Sequence, residues 1–129
     1  MENRKALVVV SHGSKRKESN QEFEDFIQKL NKINSEKSER EYTEIKGACL
    51  EFASPQLEIV IKNLILSGYE QIDILPLFVF AGYHVRQDIP QRMEKLKDKF
   101  EQLKYRILKH PAAADDFAAY IFTQALEQK

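Results

Sequence analysis

The chain has 129 residues, 43% of them hydrophobic and 31% charged, with 20 Lys and Arg balanced by 20 Asp and Glu. That length suits one hydrophobic core, that composition excludes a disordered chain, and the charge balance provides no overall field for nucleic acid. The single cysteine, Cys49, excludes an internal disulfide and a thiolate zinc cage within one chain, and it fits a reducing compartment.

After Met1-Glu2-Asn3-Arg4-Lys5 comes the apolar run Ala6 to Val10. It is shorter than a secretory core of roughly 7–15 residues or a membrane span of about 20, so a cytoplasmic protein without a membrane partner is expected. A β-branched run of this kind, ending near Gly13, predicts a strand buried on both faces. Ser19 with Glu22 forms a candidate capping box, and Phe23, Phe26, Ile27, Leu30 and Ile33 recur at helical spacing, predicting a helix over about 18–34. Ser35 to Glu41 reads as a polar connection and Glu44 to Glu51 as a second strand. Ser54-Pro55 predicts a helix start, with Leu57, Val60, Ile61 and Leu64 as its buried stripe and Gly68 past its end.

Gln71 to Phe78 predicts a third strand, followed by an aromatic-rich loop through Gly82. Asp88 with Gln91 is a candidate cap for a helix carrying Ile89, Met93, Leu96, Phe100 and Leu103. Tyr105 to Leu108 predicts a fourth strand, and 114–127 a last helix that packs Phe117, Tyr120, Ile121 and Ala125. The alternation βαβαβαβα implies one α/β domain over residues 1–129, a four-stranded parallel sheet with helices on both faces.

In such sheets ligands bind beyond the carboxyl ends of the strands, where the strand order reverses. His12 follows strand one, Glu51 ends strand two and His84 lies in the loop after strand three, so the fold would bring them to one rim. Two imidazoles and a carboxylate suit a divalent first-row metal. Each residue also has an ordinary reading. His12 serves equally as a turn residue capping backbone, His84 as a loop histidine bonded to backbone, and Glu51 as a solvated side chain. In the functional reading, Gly13 admits close backbone approach and Ser14 opens a helix start whose N–H groups suit an anion. Phe78, Phe80 and Tyr83 would form an apolar wall for a flat ligand. Lys15, Arg16, Lys17, Arg86 and Arg92 are either solvated surface or a carboxylate-binding rim. Cys49 reads as a small buried hydrophobe, and His110 as a residue that caps or packs near the fourth strand.

Three blocks then stand out together: Val9-Val10-Ser11-His12-Gly13-Ser14, Leu50-Glu51-Phe52-Ala53-Ser54-Pro55, and the run from Pro76 to Pro90 containing Gly82-Tyr83-His84-Val85-Arg86-Gln87-Asp88-Ile89-Pro90. In order and spacing they resemble the sirohydrochlorin chelatases, class II chelatases of the CbiX/SirB kind. The resemblance covers nearly the whole chain. It implies a chelatase-like, flavodoxin-related three-layer fold and insertion of Co²⁺ or Fe²⁺ into sirohydrochlorin, on the route to cobalamin or sirohaem.

By the same resemblance, His12 and His84 handle the metal and Glu51 occupies the family's acidic position. Gly13, Ser14, Lys15, Arg16, Phe80, Gly82, Tyr83 and Arg86 would meet the substrate. The divalent ion (Co²⁺, Fe²⁺ or Ni²⁺) is then a substrate, with no permanently bound cofactor. Larger members carry two such units and short members are homodimers, so a homodimer is expected here. Leu108-Lys109-His110-Pro111 stands where the family often has Pro-Leu-Gly.

Competing activities fit less well. Phosphoryl transfer through a histidine nucleophile would place Arg immediately before the His-Gly pair, where Ser11 stands. A phosphoacceptor receiver domain would need acidic residues after strand one and an aspartate ending strand three, where Ser11-His12 and Pro76-Leu77 stand. A metal or tetrapyrrole carrier without turnover would use the same ligands as a chelatase.

Overall fold

The structure, a computed structural model, describes residues 4–128; Met1, Glu2, Asn3 and Lys129, included in the expected 1–129 unit, lie outside them. In chain order the elements are β1 (Lys5–Ser11), α1 (Lys17–Ser35), β2 (Glu44–Cys49), α2 (Leu57–Leu66), β3 (Gln71–Pro76), α3 (Ile89–Lys99), β4 (Tyr105–Ile107) and α4 (Asp115–Glu127). The strands pair in parallel in the order β2-β1-β3-β4. The chain therefore steps from β1 to one side for β2 and returns to the other side for β3, which makes the carboxyl ends of β1 and β3 the switch point.

Ala6, Val8, Val9 and Val10 of β1 have no exposed surface, the double-faced burial that their unbroken apolar run predicts. On one face Val8, Val10 and Ile74 pack with Leu57 and Ile61 of α2 and Ile89 and Met93 of α3. On the other face Leu7, Val9 and Ile45 meet Phe23, Ile27 and Leu30 of α1. Gly47 lets α1 come this close, since a Cβ there would lie 2.9 Å from Ile27 Cγ1 and 3.0 Å from Phe23 Cε2. Phe26 and Ile33, expected in the same stripe, face solvent instead.

Several expected boundaries shift for identifiable reasons. Helix α1 starts before Ser19, so the Ser19–Glu22 box does not form. Its entry is instead tied by Asn20, which accepts the Ser14 N–H at 3.1 Å and donates to the Ser14 carbonyl at 2.8 Å. Helix α2 begins at Leu57 rather than at Ser54-Pro55, because the Pro55 carbonyl accepts the Cys49 N–H at 2.8 Å and prolongs the edge of the sheet. Asp88 caps nothing; it lies inside a helical run that opens with a single π turn, His84–Asp88. Helix α3 ends at Lys99, leaving Phe100 and Leu103 to pack from the connection that follows.

The largest departure is α4, none of whose residues is buried. Phe117 stacks on Tyr120 at 6.3 Å, but Tyr120, Ile121, Phe122 and Leu126 face solvent. A 3₁₀ turn over Pro111–Ala113, held by the Ala112 N–H to the Val79 carbonyl at 3.0 Å, separates β4 from α4. Leu75, Leu77 and Leu108, on the α1 side of the sheet, stay only half-buried.

At the amino ends of the strands Asp73 is wholly buried. It accepts hydrogen bonds from Arg106 Nε and Nη2 at 2.8 and 3.0 Å and from the Tyr42 hydroxyl at 2.7 Å. Burial pushes its carboxyl up, but the hydrogen bonds from Arg106, Tyr42 and Gln71 outweigh burial and hold it at about 2.

Candidate functional site

The β1–β2 ladder continues past both strands. The Leu50 N–H donates to the Ser11 carbonyl at 3.1 Å and the Glu51 N–H to the His12 carbonyl at 2.9 Å. This pairing sets His12 beside Glu51, with Nε2 and Oε2 3.3 Å apart. Gly13 makes the approach possible. Its φ is +92°, and a Cβ there would fall 1.8 Å from the Glu51 carbonyl oxygen. Phe52, next along, holds φ at 65°, a left-handed conformation costing about 1–2 kcal/mol in an L residue. Its ring lies 5.5 Å from that of His12 and under the Lys15 ammonium at 5.1 Å.

His84 arrives from β3, the other neighbour of β1. Its ring centroid is 4.9 Å from that of His12. Phe78 stacks on it at 5.8 Å and 26°, and Tyr83 meets it edge-on at 5.8 Å. Its Nδ1 lies 2.9 Å from Asp88 Oδ2, which leaves Nε2 as the nitrogen available to a ligand.

Both nitrogens of His12 face acceptors. Nδ1 is 3.2 Å from the Gly13 carbonyl, which can only accept, while Nε2 faces the Glu51 carboxylate. Two lone pairs held face to face are satisfied by a cation between them or by a proton taken up at Nε2. The arrangement can therefore bind a metal ion or receive a proton.

The predicted trio thus gathers at one rim: His12 touches both Glu51 and His84. Among the described residues no set of three or more His, Cys, Asp or Glu side chains forms a metal cage; the cluster is two close imidazoles, each with one carboxylate beside it, Glu51 at His12 and Asp88 at His84. Lys15 joins it through Phe52, and Tyr83 through His84. Arg16, Phe80, Gly82 and Arg86 are exposed, and nothing lies within 4 Å of a Cβ built on Gly82. Ser14 does not present a free N–H to an anion, because Asn20 accepts it and the Ser14 hydroxyl accepts the Arg16 N–H at 3.0 Å. His110 lies at the turn after β4, where its carbonyl accepts the Ala113 N–H at 3.0 Å. Cys49 is buried as expected, its thiol 3.6 Å from the Ser11 hydroxyl.

Arg92 corrects a further expectation. Half-buried, it is engaged by the protein itself rather than free for substrate carboxylates, with Nε and Nη2 each 2.7 Å from a Glu58 oxygen and Nη1 donating to the Leu50 carbonyl at 3.3 Å. Its hydrogen bonds hold the Glu58 carboxyl below the usual range, and Glu58 raises Arg92 in return. Asp88 is the site residue that sequence reasoning misread. The signal was the spacing His84-x-x-x-Asp88, one helical turn, which places the two side chains on one face.

A family model described as CbiX matches residues 6–128. This chain belongs to the CbiX family. A sirohydrochlorin cobaltochelatase from Sulfurisphaera tokodaii is 30% identical over 124 residues, covering 95% of this chain and 91% of that protein. A sirohydrochlorin ferrochelatase from Priestia megaterium is 30% identical over 77% of this chain and 35% of its own length. The chloroplastic sirohydrochlorin ferrochelatase of Arabidopsis thaliana is 28% identical over 78% and 42%. This chain therefore spans less than half the length of the two ferrochelatases. Among solved structures, a CbiX protein from Marinobacter aquaeolei superposes with a TM-score of 0.79 at 22% identity, over 97% of this chain and 99% of that one. SirB from Bacillus subtilis in complex with cobalt gives 0.80 at 18% identity, over 96% and 50%. These two likenesses establish the shared fold.

Proposed function

We propose that this CbiX-family chain is a sirohydrochlorin chelatase that inserts Co²⁺ or Fe²⁺, with Ni²⁺ a chemically similar third ion, into sirohydrochlorin. The observation that carries the reading is the pair of imidazoles from two separate strand ends, 4.9 Å apart, with Glu51 against one of them. The relatives named as sirohydrochlorin chelatases support the choice of substrate.

Insertion exchanges two pyrrole N–H protons for one divalent ion, so the site must release a metal and accept protons. In this reading the ion meets His12 and His84, and as the macrocycle's nitrogens take the metal their two protons pass one to the Glu51 carboxylate and one to the His12 Nε2 that the ion vacates. Neutral imidazoles hold a borderline ion less firmly than thiolates would, which suits an ion that must leave. The metal is thus cargo, and no resident cofactor is needed. Gly13 keeps the turn open to the substrate, and Ser14 holds the geometry of that turn. Phe80, Gly82 and Tyr83 offer a flat, largely apolar approach, while Lys15, Arg16 and Arg86 suit the carboxylates of the macrocycle.

We further read the working unit as a cytoplasmic homodimer without nucleic-acid or membrane partners. The chain carries both halves of a self-complementary contact. These are an exposed apolar helix, α4, and a half-buried strip of the sheet at Leu75, Leu77 and Leu108. Among the described residues no helix is long and apolar enough to cross a membrane, and a reducing compartment suits the free Cys49.

The test follows macrocycle absorbance with purified protein, sirohydrochlorin and Co²⁺ or Fe²⁺. Turnover faster than the spontaneous reaction is expected; stoichiometric binding without acceleration would identify a carrier. His12→Ala and His84→Ala should each lower the rate by about 10²-fold or more with an unchanged circular dichroism spectrum. A double variant working at full rate would exclude this mechanism.

A further inference from the structure

We propose that Asp88 and Arg92 are positioning residues for His84: Asp88 sets the tautomer and direction of the ring, and Arg92 ties Asp88 to the loop that carries Glu51. The inference rests on the reading of His84 as a metal-handling imidazole and adds to it how that imidazole is held.

An ionised carboxylate only accepts hydrogen bonds. With Asp88 Oδ2 2.9 Å from Nδ1, the neutral His84 ring carries its proton on Nδ1 and keeps a bare lone pair on Nε2. That lone pair is what binds a divalent ion or receives a proton. The stacked Phe78 limits the remaining freedom of the ring, its rotation out of plane.

Arg92 supplies the second level. Its guanidinium meets three segments at once: Glu58 of α2 with two bonds of 2.7 Å, the Leu50 carbonyl at the end of β2 at 3.3 Å, and Asp88 Oδ2 at 3.6 Å. The distances assign the roles. Glu58 takes the short, paired bonds of a fork, whereas Asp88 is near enough for attraction but too far for a hydrogen bond, so its oxygen remains committed to His84. Leu50 directly precedes Glu51, and Asp88 holds His84. One side chain therefore braces both arms of the site against each other. Lysine, a single point charge without a planar fork, cannot make all three contacts.

A purely structural role would leave the tautomer of His84 indifferent to Asp88, and this separates the two accounts. Long-range ¹H–¹⁵N correlation spectra of the labelled, metal-free full chain, at a pH where the ring is neutral, should show wild-type His84 with its proton on Nδ1. In Asp88→Asn the amide can donate to Nδ1, so the Nε2–H form should appear. Cobalt affinity by titration calorimetry should fall about 10- to 100-fold, with a smaller loss in the same direction for Arg92→Lys. With sirohydrochlorin, kcat should fall while KM stays unchanged. A wild-type ring protonated on Nε2, or an Asp88→Asn protein with unaltered tautomer and cobalt affinity, would overturn the proposal. Tautomer and cobalt affinity are read without sirohydrochlorin. A wild-type chain that inserts no metal would therefore defeat the chelatase reading while these two measurements still decide this one.

Discussion

Gly13 shows how tightly a single position constrains the site. Its positive φ alone disfavours any side chain, and an added methyl would collide with the backbone of Glu51 rather than with a side chain able to move aside. Gly13→Ala is therefore expected to lower stability by roughly 1–3 kcal/mol and to displace Glu51 from His12, reducing cobalt binding. Urea melts and metal titration on the same variant check both halves. At this scale His12, Glu51 and His84 were legible as chemistry, because polar residues at strand ends stand out against apolar neighbours. The bracing residues were not. Asp88 resembles a helix cap and Arg92 a surface cation until the π turn and the Leu50 carbonyl are seen beside them.

Among the elements, the four strands and four helices were readable from periodicity, but some of their boundaries were not. Pro55 delays α2 because its carbonyl pairs with Cys49, a contact that no local pattern encodes. The apolar residues of α4 were read as a packed stripe, which the described fold of one chain does not bear out, since none of them is buried there. If a second copy buries them, charge placed on this helix should separate the two. Ile121→Asp is expected to convert a dimer to a monomer at micromolar concentration, weakening association at least about a hundredfold because the substitution enters the interface twice. Light scattering coupled to gel filtration measures this, and a wild-type chain that runs as a monomer rejects the dimer.

On the scale of the whole molecule, the sheet has two unlike ends. The carboxyl end carries the imidazoles in partial contact with water, and the amino end buries the Asp73 carboxylate beneath the exposed Arg106. An aspartate depressed from 3.8 to about 2 contributes stability that is complete above its unfolded value and is lost as pH falls through the interval between the two. The loss expected from this one group is about 2 kcal/mol. Urea midpoints at neutral pH and across that acid interval should show it, and Asp73→Asn should be less stable at neutral pH with a flatter acid limb. An unchanged limb in that variant would assign acid sensitivity to other carboxylates.

The side chains of His12 and Glu51 keep 42% and 50% of their surface accessible. Under the proposed function, an ion arriving there would shed only part of its hydration shell, so capture would be shallow and readily reversed. A site of this kind does not compete with four ring nitrogens for final ownership of the metal. Under the same proposal it would be correspondingly weak at telling neighbouring transition ions apart, and the ion carried would be set by which one is abundant where the protein works.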